Sequence, residues 1–536
     1  MLASLAQTHE QLLGEQQTAR RNGPNGARAH ERSSRRERGA FYTPREIAAP
    51  LVAAALDALE PLRLAHPPAI LDPAAGGGVF LAAALEELYR RLAPRSRTTA
   101  GALVARLVRR CLYGVDIDPV AVKMARASVC LTAAELAQQA GEAIDLPALW
   151  RATARRIVCA DALAGGAELS RFPLRRTRPF DVVLGNPPFV SFSGREGQRI
   201  APEERQRLRS MFSLARGWPS LASLFVELAH GVLREGGALG FVVPAAMFHL
   251  PSYEPVRRFL LENFNLKRVA AVEDAAFPAV TATTGALLAT KGRGAENGLC
   301  TVLGAQVSQE SIARRPFCAF WVRKHEEQWQ RVEGDPRFVP LGAIAEVRDW
   351  GVHTGNVRAK MLRPPSEKHL PPVLRGRDVR AFVIGRPELR LNPSPRLGPR
   401  EYCSVRPAEV YRRPKVLVRQ TANRPIAAVD EQGHYFLNSL LAIYPLCDAH
   451  ALCALLNSEY VCAYYRDTFA DGAQRTFPQV KAAYLKLLPV PAALLDAEDE
   501  RVRRLAALAR AQARAPCSER LGEIEALVRA LYAAAD

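Results

Sequence analysis

The first two-thirds of the chain alternates short apolar runs with longer stretches of helical periodicity. AILDP, CLYGVDIDP, RRIVCAD, FDVVLGNPP, GALGFVVP and LKRVAAV each pattern as a strand that feeds a loop. Each run is too short for a stable helix, and most are closed by Pro, Gly or Asp. Between them, GVFLAAALEELYRRL, DPVAVKMARASVCLTAAELA and SLASLFVELAHGVLREG repeat apolar residues at helical spacing. Strand–helix alternation predicts an α/β fold: a Rossmann-like, mostly parallel sheet with helices on both faces. Ligands of such sheets bind beyond the carboxyl ends of the strands.

The texture changes near residue 340. Beyond it the chain is richer in Pro, Arg and aromatic residues, with β-like segments such as PKVLVRQ and GHYFLNSLLAIYP. The pattern predicts four regions. Residues 1–36 read as a polar helix and linker, and 37–335 as the α/β domain. Residues 340–492 read as a smaller mixed α/β domain, and 493–536 as C-terminal helices.

Charge sharpens this division. The chain has 73 Lys+Arg against 54 Asp+Glu in 536 residues, a formal net charge of +19. Residues 341–490 hold 22 Lys/Arg and 13 Asp/Glu, so +9 of that excess sits in the smaller domain. A polyanion, most simply nucleic acid, is the partner such a balance implies. The ten cysteines are scattered with no C-x-x-C pair or Cys/His cluster. That argues against a structural zinc or any other metal, and against a disulfide framework, and fits a reducing cytoplasm. No apolar run reaches the length of a membrane span, and the N-terminus lacks the pattern of a signal peptide.

The candidate chemistry lies at the strand ends. ILDPAAGGGVFLAAAL (70–85) is a strand, an acid, a glycine turn and a helix. Asp72 ends the strand, and the backbone of Ala74, Gly76 and Gly78 allows a ligand to approach closely. No Gly-Lys-Ser/Thr follows, which excludes a phosphate-binding P-loop, while a dinucleotide fold stays open from this turn alone. In GVDIDP, Asp116 is placed to hold a ribose diol and Ile117 to cover an adenine face. In CAD, Asp161 is placed to accept from an adenine amine. Any one of these acids suits a helix cap equally well. Three on successive strand ends behind a glycine turn point to a nucleoside-bearing cofactor.

FDVVLGNPPFV (180–190) is of another kind. A buried-looking strand runs into two prolines, each of which fixes φ and lacks an N–H. A plain reversal would use a flexible Asn-Gly or Asp-Gly pair. A stiff turn with an amide before it and an aromatic ring after it suits the holding of something flat.

Together, DPAAGGGVFL, GVDIDP and the strand-then-NPPF run resemble the S-adenosylmethionine-dependent N6-adenine DNA methyltransferases of the gamma class. The motif order of that family is kept from about residue 37 to 490. RGAFYTPREIAAPLV (38–52) is similar to its N-terminal motif, which implies that Tyr42, Thr43 and Pro44 line the methionine end of S-adenosylmethionine. The resemblance implies that Asn186 and Pro187 accept the amine hydrogens of a flipped-out adenine. Pro188 would stiffen the turn and Phe189 would stack on the base. Phe277, in VEDAAFPAVTATTGALLAT, matches the second stacking ring, though a buried core aromatic fits that position as well.

Two departures stand out: Ala75 replaces a common Cys, and Ser220 stands where relatives often carry Asp or Asn. The first needs no compensation because the chemistry uses no thiol. The second leaves open how the helix after it is positioned.

LRGRDVRAF, RRPKVLVRQTANRPIAAVDEQGHYFLNS, LLNSEYVCAYYR and FPQVKAAYLKLLPVP are similar to the target-recognition region of the same family. Arg375, Arg377, Arg419 and Arg424 are its candidate DNA-binding residues, although an ion-pair role suits any one of them. The implied partners are double-stranded DNA and a separate restriction endonuclease or defence-system subunits. Residues 1–40 contain neither Asp nor Lys, so no nuclease site is expected there. An RNA base or a protein glutamine amide is an alternative target, because each presents a planar nitrogen. A non-catalytic DNA-specificity subunit is a further alternative, opposed by the intact Asp72, Asp116 and Asn186.

Overall fold

A computed structural model describes residues 43–59, 66–164, 178–190, 200–216, 220–272, 284–292, 298–321, 323–469 and 479–533. Tyr42, Phe277 and the expected helix within residues 1–36 lie outside the described residues. The chain divides into two compact units, Met1–Val322 and Arg323–Asp536.

The first unit is an α/β sheet with helices on both faces. Its strands are β1 (Ile70–Asp72), β2 (Leu112–Asp116), β3 (Ile157–Cys159), β4 (Phe180–Gly185), β5 (Leu233–Pro244), β6 (Phe264–Val272), β7 (Thr284–Lys291), β8 (Leu299–Val302) and β9 (Ala305–Ser308). They lie in the order 3-2-1-4-5-7-6-8-9. The block 3-2-1-4-5 is parallel throughout. All six apolar runs are therefore strands. The seventh, TGALLATK, inserts antiparallel between β5 and β6 and makes the far side of the sheet mixed.

Alternation along each strand builds two cores. Leu71, Tyr113, Val115, Val183, Leu239, Phe241 and Val243 bury on one face. Ile70, Leu112, Val182, Leu184, Ala238 and Val242 bury on the other. Both faces of the central strands are thus apolar, as a sheet covered on two sides requires. The second face is covered by α1 (Arg45–Asp57), α2 (Val79–Leu92), α3 (Ala100–Arg110) and α4 (Pro119–Gln139). The first face takes α6 (Pro202–Met211), α7 (Leu221–Val232) and α8 (Glu254–Asn263), while α5 (Leu146–Thr153) adds Leu149 to the second.

Strand order fixes the site. The chain builds β1, β2 and β3 outward in one direction, then returns to lay β4 and β5 on the other side of β1. The reversal between β1 and β4 is a topological switch point, where neighbouring loops diverge and leave a crevice.

In the second unit, the strands Ala345–Arg348, Leu440–Pro445, Lys415–Arg419 and Ala427–Asp430 form an antiparallel sheet in that spatial order. A second small sheet joins Leu362–Arg363, Leu389–Leu391, Pro372–Leu374 and Tyr435–Phe436. This unit begins earlier than the sequence pattern places it, because residues 323–334 are built into it. Buried Arg323 bonds Glu333 at 2.6 and 3.0 Å and Thr468 at 3.0 Å. The indole of Trp329 donates to Asp467 at 3.0 Å. The helices Glu500–Arg514 and Ser518–Tyr532 also belong to it: the Tyr532 hydroxyl donates to the Pro489 carbonyl at 2.7 Å, and its ring stacks on Phe338.

Candidate functional site

The four chemistry-bearing strand ends stand in one row. Following the spatial order 3-2-1-4, they present Asp161, Asp116, Asp72 and Asn186. The Ala160 N–H donates to the Asp116 carbonyl, tying the end of β3 to that of β2.

Asp72 is 1% exposed, and its Oδ1 accepts the Ala74 N–H at 3.1 Å. Burial pushes its carboxyl up to about 8, with the Ala74 bond opposing and the Asp116 charge adding to the rise. The glycine turn that follows is pinned by backbone bonds. Ala75 N–H donates to the Val115 carbonyl and Gly78 N–H to the Ala75 carbonyl, both at 2.8 Å. Gly78 has φ +82°, and a Cβ there would lie 2.6 Å from the Ala125 Cα, so α2 and α4 pack only because it is glycine. Gly76 has φ +50°, and a Cβ there would meet nothing within 4 Å. One glycine serves packing; the other leaves an open face.

Asp116 closes the turn from β2. Its Oδ2 accepts Gly76 N–H at 2.8 Å and its Oδ1 accepts Asp118 N–H at 2.9 Å. Desolvation holds its carboxyl above the usual range, against those two bonds. Next to it Ile117 is 71% exposed, an apolar residue left uncovered beside an acid. Asp161 accepts Leu163 N–H at 2.9 Å and pairs with Arg207 at 3.3 Å. Arg207 also donates to the Leu163 carbonyl at 3.0 Å. This cation comes from α6, which follows the Asn-Pro-Pro-Phe turn in the chain. Arg207 also pairs with Glu204 on its own helix at 2.5 Å, and nothing in the local sequence marks its second partner, Asp161, 46 residues away.

The Asn-Pro-Pro-Phe turn leaves β4 beside Asp72. Register pairs Ile70 with Val182 and Leu71 with Val183, so β4 runs directly alongside β1. A Cβ on Gly185 would lie 2.7 Å from the Asp72 Oδ1, which explains the glycine before Asn186. Asp181 locks the base of β4 by accepting the Ala69 N–H at 2.8 Å and Arg234 at 2.6 Å. Pro187 is buried; Asn186, Pro188 and Phe189 are half-buried. Phe189 packs part of its ring against the core beneath α1 and α2.

The far side of the turn is anchored too. Leu221 N–H donates to the Val190 carbonyl at 2.9 Å. Ser220, 1% exposed, caps α7 by accepting from Ser223 N–H, so a serine meets the positioning need that Asp or Asn would fill. Burial raises the Tyr253 hydroxyl above its usual range, with a hydrogen bond to Ser220 opposing. Thr43 is buried, and the Pro44 carbonyl accepts the Ile47 and Ala48 N–H groups in the first turn of α1.

The basic residues of the second unit differ in their freedom. Arg375 is only 13% exposed and is held by Asp378 at 2.9 and 3.0 Å and by Glu388 at 2.6 Å. With its guanidinium already used in a fork between two carboxylates, Arg375 is the least available of the four DNA-binding candidates. Arg377 shares Glu388 at 3.0 Å but is 67% exposed. Arg424 lies 3.7 Å from Glu459 and is 41% exposed. Arg419 ends its strand half-buried.

Residues 110–277 match the family described as Eco57I restriction-modification methylase. Residues 371–490 match the TaqI-like C-terminal specificity domain. The Type II methyltransferase M.VspI of Vibrio sp. (strain 343) is 25% identical over 356 residues, 65% of this chain and 72% of that protein. The Type II methyltransferase M.TthHB8I of Thermus thermophilus is 25% identical over 314 residues, 56% of this chain and 72% of that one. The solved Type IIL restriction-modification enzyme MmeI, in complex with DNA, aligns with 94% of this chain and 77% of its own at TM-score 0.58. At 13% identity that likeness concerns the fold.

The cofactor of such a methylase is S-adenosylmethionine, and the residues present fit it. The Gly76 face is open, Asp116 sits at its edge, and Ile117 offers an uncovered apolar surface for a purine. The chain is therefore a DNA methyltransferase of the restriction-modification type, an Eco57I-like methylase domain followed by a TaqI-like specificity domain.

Proposed function

We propose that the protein is a site-specific, adenine-specific DNA methyltransferase that methylates N6 of an adenine flipped out of duplex DNA. The reading rests on one observation: the rigid Asn-Pro-Pro-Phe turn leaves the sheet at the switch point, against the acid that opens the glycine turn.

On this reading Thr43 and Pro44, with Tyr42, line the methionine end of the cofactor. Asp116 holds the ribose diol, Ile117 covers the adenine ring and Asp161 takes its amine. Bound S-adenosylmethionine supplies a methyl group already activated on a sulfonium, so the protein's task is positioning. The lone pair on a target adenine's N6 is delocalised into the ring and is a poor nucleophile. The Asn186 side-chain oxygen and the Pro187 carbonyl accept its two hydrogens and draw the nitrogen towards tetrahedral geometry. Pro187 and Pro188 hold that backbone in place before the base arrives, which is electrostatic preorganisation. Phe189 is only partly buried and stacks on the base. The N6 proton lost on methylation would pass from the Asn186 and Pro187 acceptors to water.

Extruding the base costs a few kcal/mol of unstacking, which aromatic contacts offset. Phe277 is the candidate for the opposite face. The second unit supplies target recognition, with Arg377, Arg419 and Arg424 as its candidate contacts. A nuclease partner and a role in restriction or another defence system, in the cytoplasm, complete the proposal. The test is transfer of tritiated methyl from S-adenosylmethionine to unmethylated DNA by wild type and by Asn186→Ala. Label in DNA that disappears in the variant supports the reading; label in RNA or in protein amides, with none in DNA, overturns it.

A further inference from the structure

In the second unit a cleft of about 390 Å³ opens between the loop 384–387, the turn 430–434 and the helix Glu500–Arg514. Three arginines line it: Arg386, Arg510 and Arg514. Arg510 is shared with Asp448. Arg386 and Arg514 are exposed and have no carboxylate partner among the described residues. Two histidines, His434 and His450, and the polar residues Asp430, Glu431 and Gln432 complete the polar lining.

The wall carrying His434 is rigid. Lys415 and Asp430 form an ion pair at 2.7 Å that is 0% and 1% exposed. A buried pair is costly to assemble and gives little net stability, so it serves better as a fixed support than as a source of stability. Lys415 also donates to the Tyr411 carbonyl at 2.6 Å. The other Asp430 oxygen bonds His434 Nδ1 at 2.8 Å, and Asp430 also accepts the His434 N–H at 2.9 Å. This closes the turn and commits Nδ1, leaving Nε2 as the histidine's remaining polar atom. Gly433, with φ +71°, is required there because a Cβ would lie 2.7 Å from the Arg412 carbonyl oxygen. His450 is likewise held, by Glu431 at 2.9 Å. Both carboxylates in the lining are thus occupied by a cation or an imidazole, while two guanidinium groups remain uncommitted.

We propose that this cleft is a phosphoryl-binding site, separate from the methylation centre, in which Arg386 and Arg514 grip one phosphate group and His434 and Arg510 flank it. Guanidinium forks match phosphate oxygens in pairs, and the pre-set imidazole removes part of the ordering cost. The phosphate could come from two sources, a backbone phosphate of DNA or a free nucleotide. Only the first rests on the DNA-methyltransferase reading.

The full chain separates them with two probes. The variant is Arg386→Gln/Arg514→Gln, and the control is Arg109→Gln/Arg110→Gln, which removes two exposed charges from α3. Calorimetric titration with inorganic pyrophosphate tests the free source, and the salt dependence of duplex binding tests the DNA source. A loss of pyrophosphate affinity of about tenfold or more in the variant alone assigns a nucleotide-type site. A fall of about 2 in the slope of log K against log salt, again in the variant alone, assigns a DNA phosphate clamp. If neither quantity changes, or the control changes as much as the variant, the proposal is wrong. Thermal melting of both variants excludes misfolding as the cause of either change.

Discussion

The acids of the methylase unit and the arginines of the specificity unit are held in opposite ways. Asp72, Asp116 and Asp161 each accept a backbone N–H within their own strand-end turn or the adjacent one. Their positions follow from the path of the main chain and change little with the side chains around them. Arg375, Arg377 and Arg424 are instead held by other side chains, Asp378, Glu388 and Glu459. The exposed pairs of Arg377 and Arg424 are individually weak and can be exchanged for contacts to phosphate. A reaction centre gains from the first arrangement, which needs no reorganisation when substrate arrives. A surface that must fit a target sequence gains from the second.

The largest effect should come from breaking the preorganised side. Asn186→Ala is expected to lower kcat for methyl transfer by roughly 10²–10³, while donor affinity stays within about twofold. Loss of donor binding instead, seen by calorimetry, would make Asn186 part of the cofactor site and dissolve the distinction between turn and glycine loop.

A smaller effect concerns Asp72, whose carboxyl burial raises to about 8 from 3.8. Because the folded state holds the proton more tightly than the unfolded chain, this group's stability is fully present below the lower value. It is lost as pH rises through the higher one. Between pH 6 and pH 8 the wild type should lose about 2 kcal/mol that Asp72→Asn keeps. Urea melts at the two pH values check this; parallel losses in both proteins would show that Asp72 stays ionised throughout.

The smallest effects should separate two neighbouring arginines. Arg375→Gln is expected to cost about 1 kcal/mol of stability and leave the salt slope of DNA binding unchanged. Arg377→Gln should do the reverse, leaving the melt intact and reducing the slope by about 1. Identical behaviour would mean that exposure does not distinguish DNA contacts from structural cations in this unit.

The same contrast governs which features are legible in the amino-acid sequence. Strand ends and glycine turns are local, so Asp72, Asp116, Asp161 and Asn186 stand out by inspection. That they form one row requires only the strand order of a doubly wound sheet. Pairings between distant side chains leave no local mark. Arg323 binds Thr468, 145 residues on, which draws residues 323–334 into the second unit, against the boundary at 335 that the sequence pattern suggests. Arg375 looks like a free basic residue until Glu388 is brought beside it. Strand β7 shares its stretch of sequence with the motif that contains Phe277, and its place between β5 and β6 depends on pairings that no local pattern encodes. Ser220 is the opposite case: an apparent departure is an ordinary helix cap, since a hydroxyl can satisfy the same N–H as a carboxylate.

The central claim is that the Asn-Pro-Pro-Phe turn holds an adenine amine for methylation. Nucleoside mass spectrometry of unmethylated DNA incubated with the protein and S-adenosylmethionine tests it most directly. The account predicts N6-methyladenine as the one new nucleoside, absent when Asn186→Ala replaces the wild type. Methylcytosine in its place, or N6-methyladenine undiminished in the variant, would contradict it.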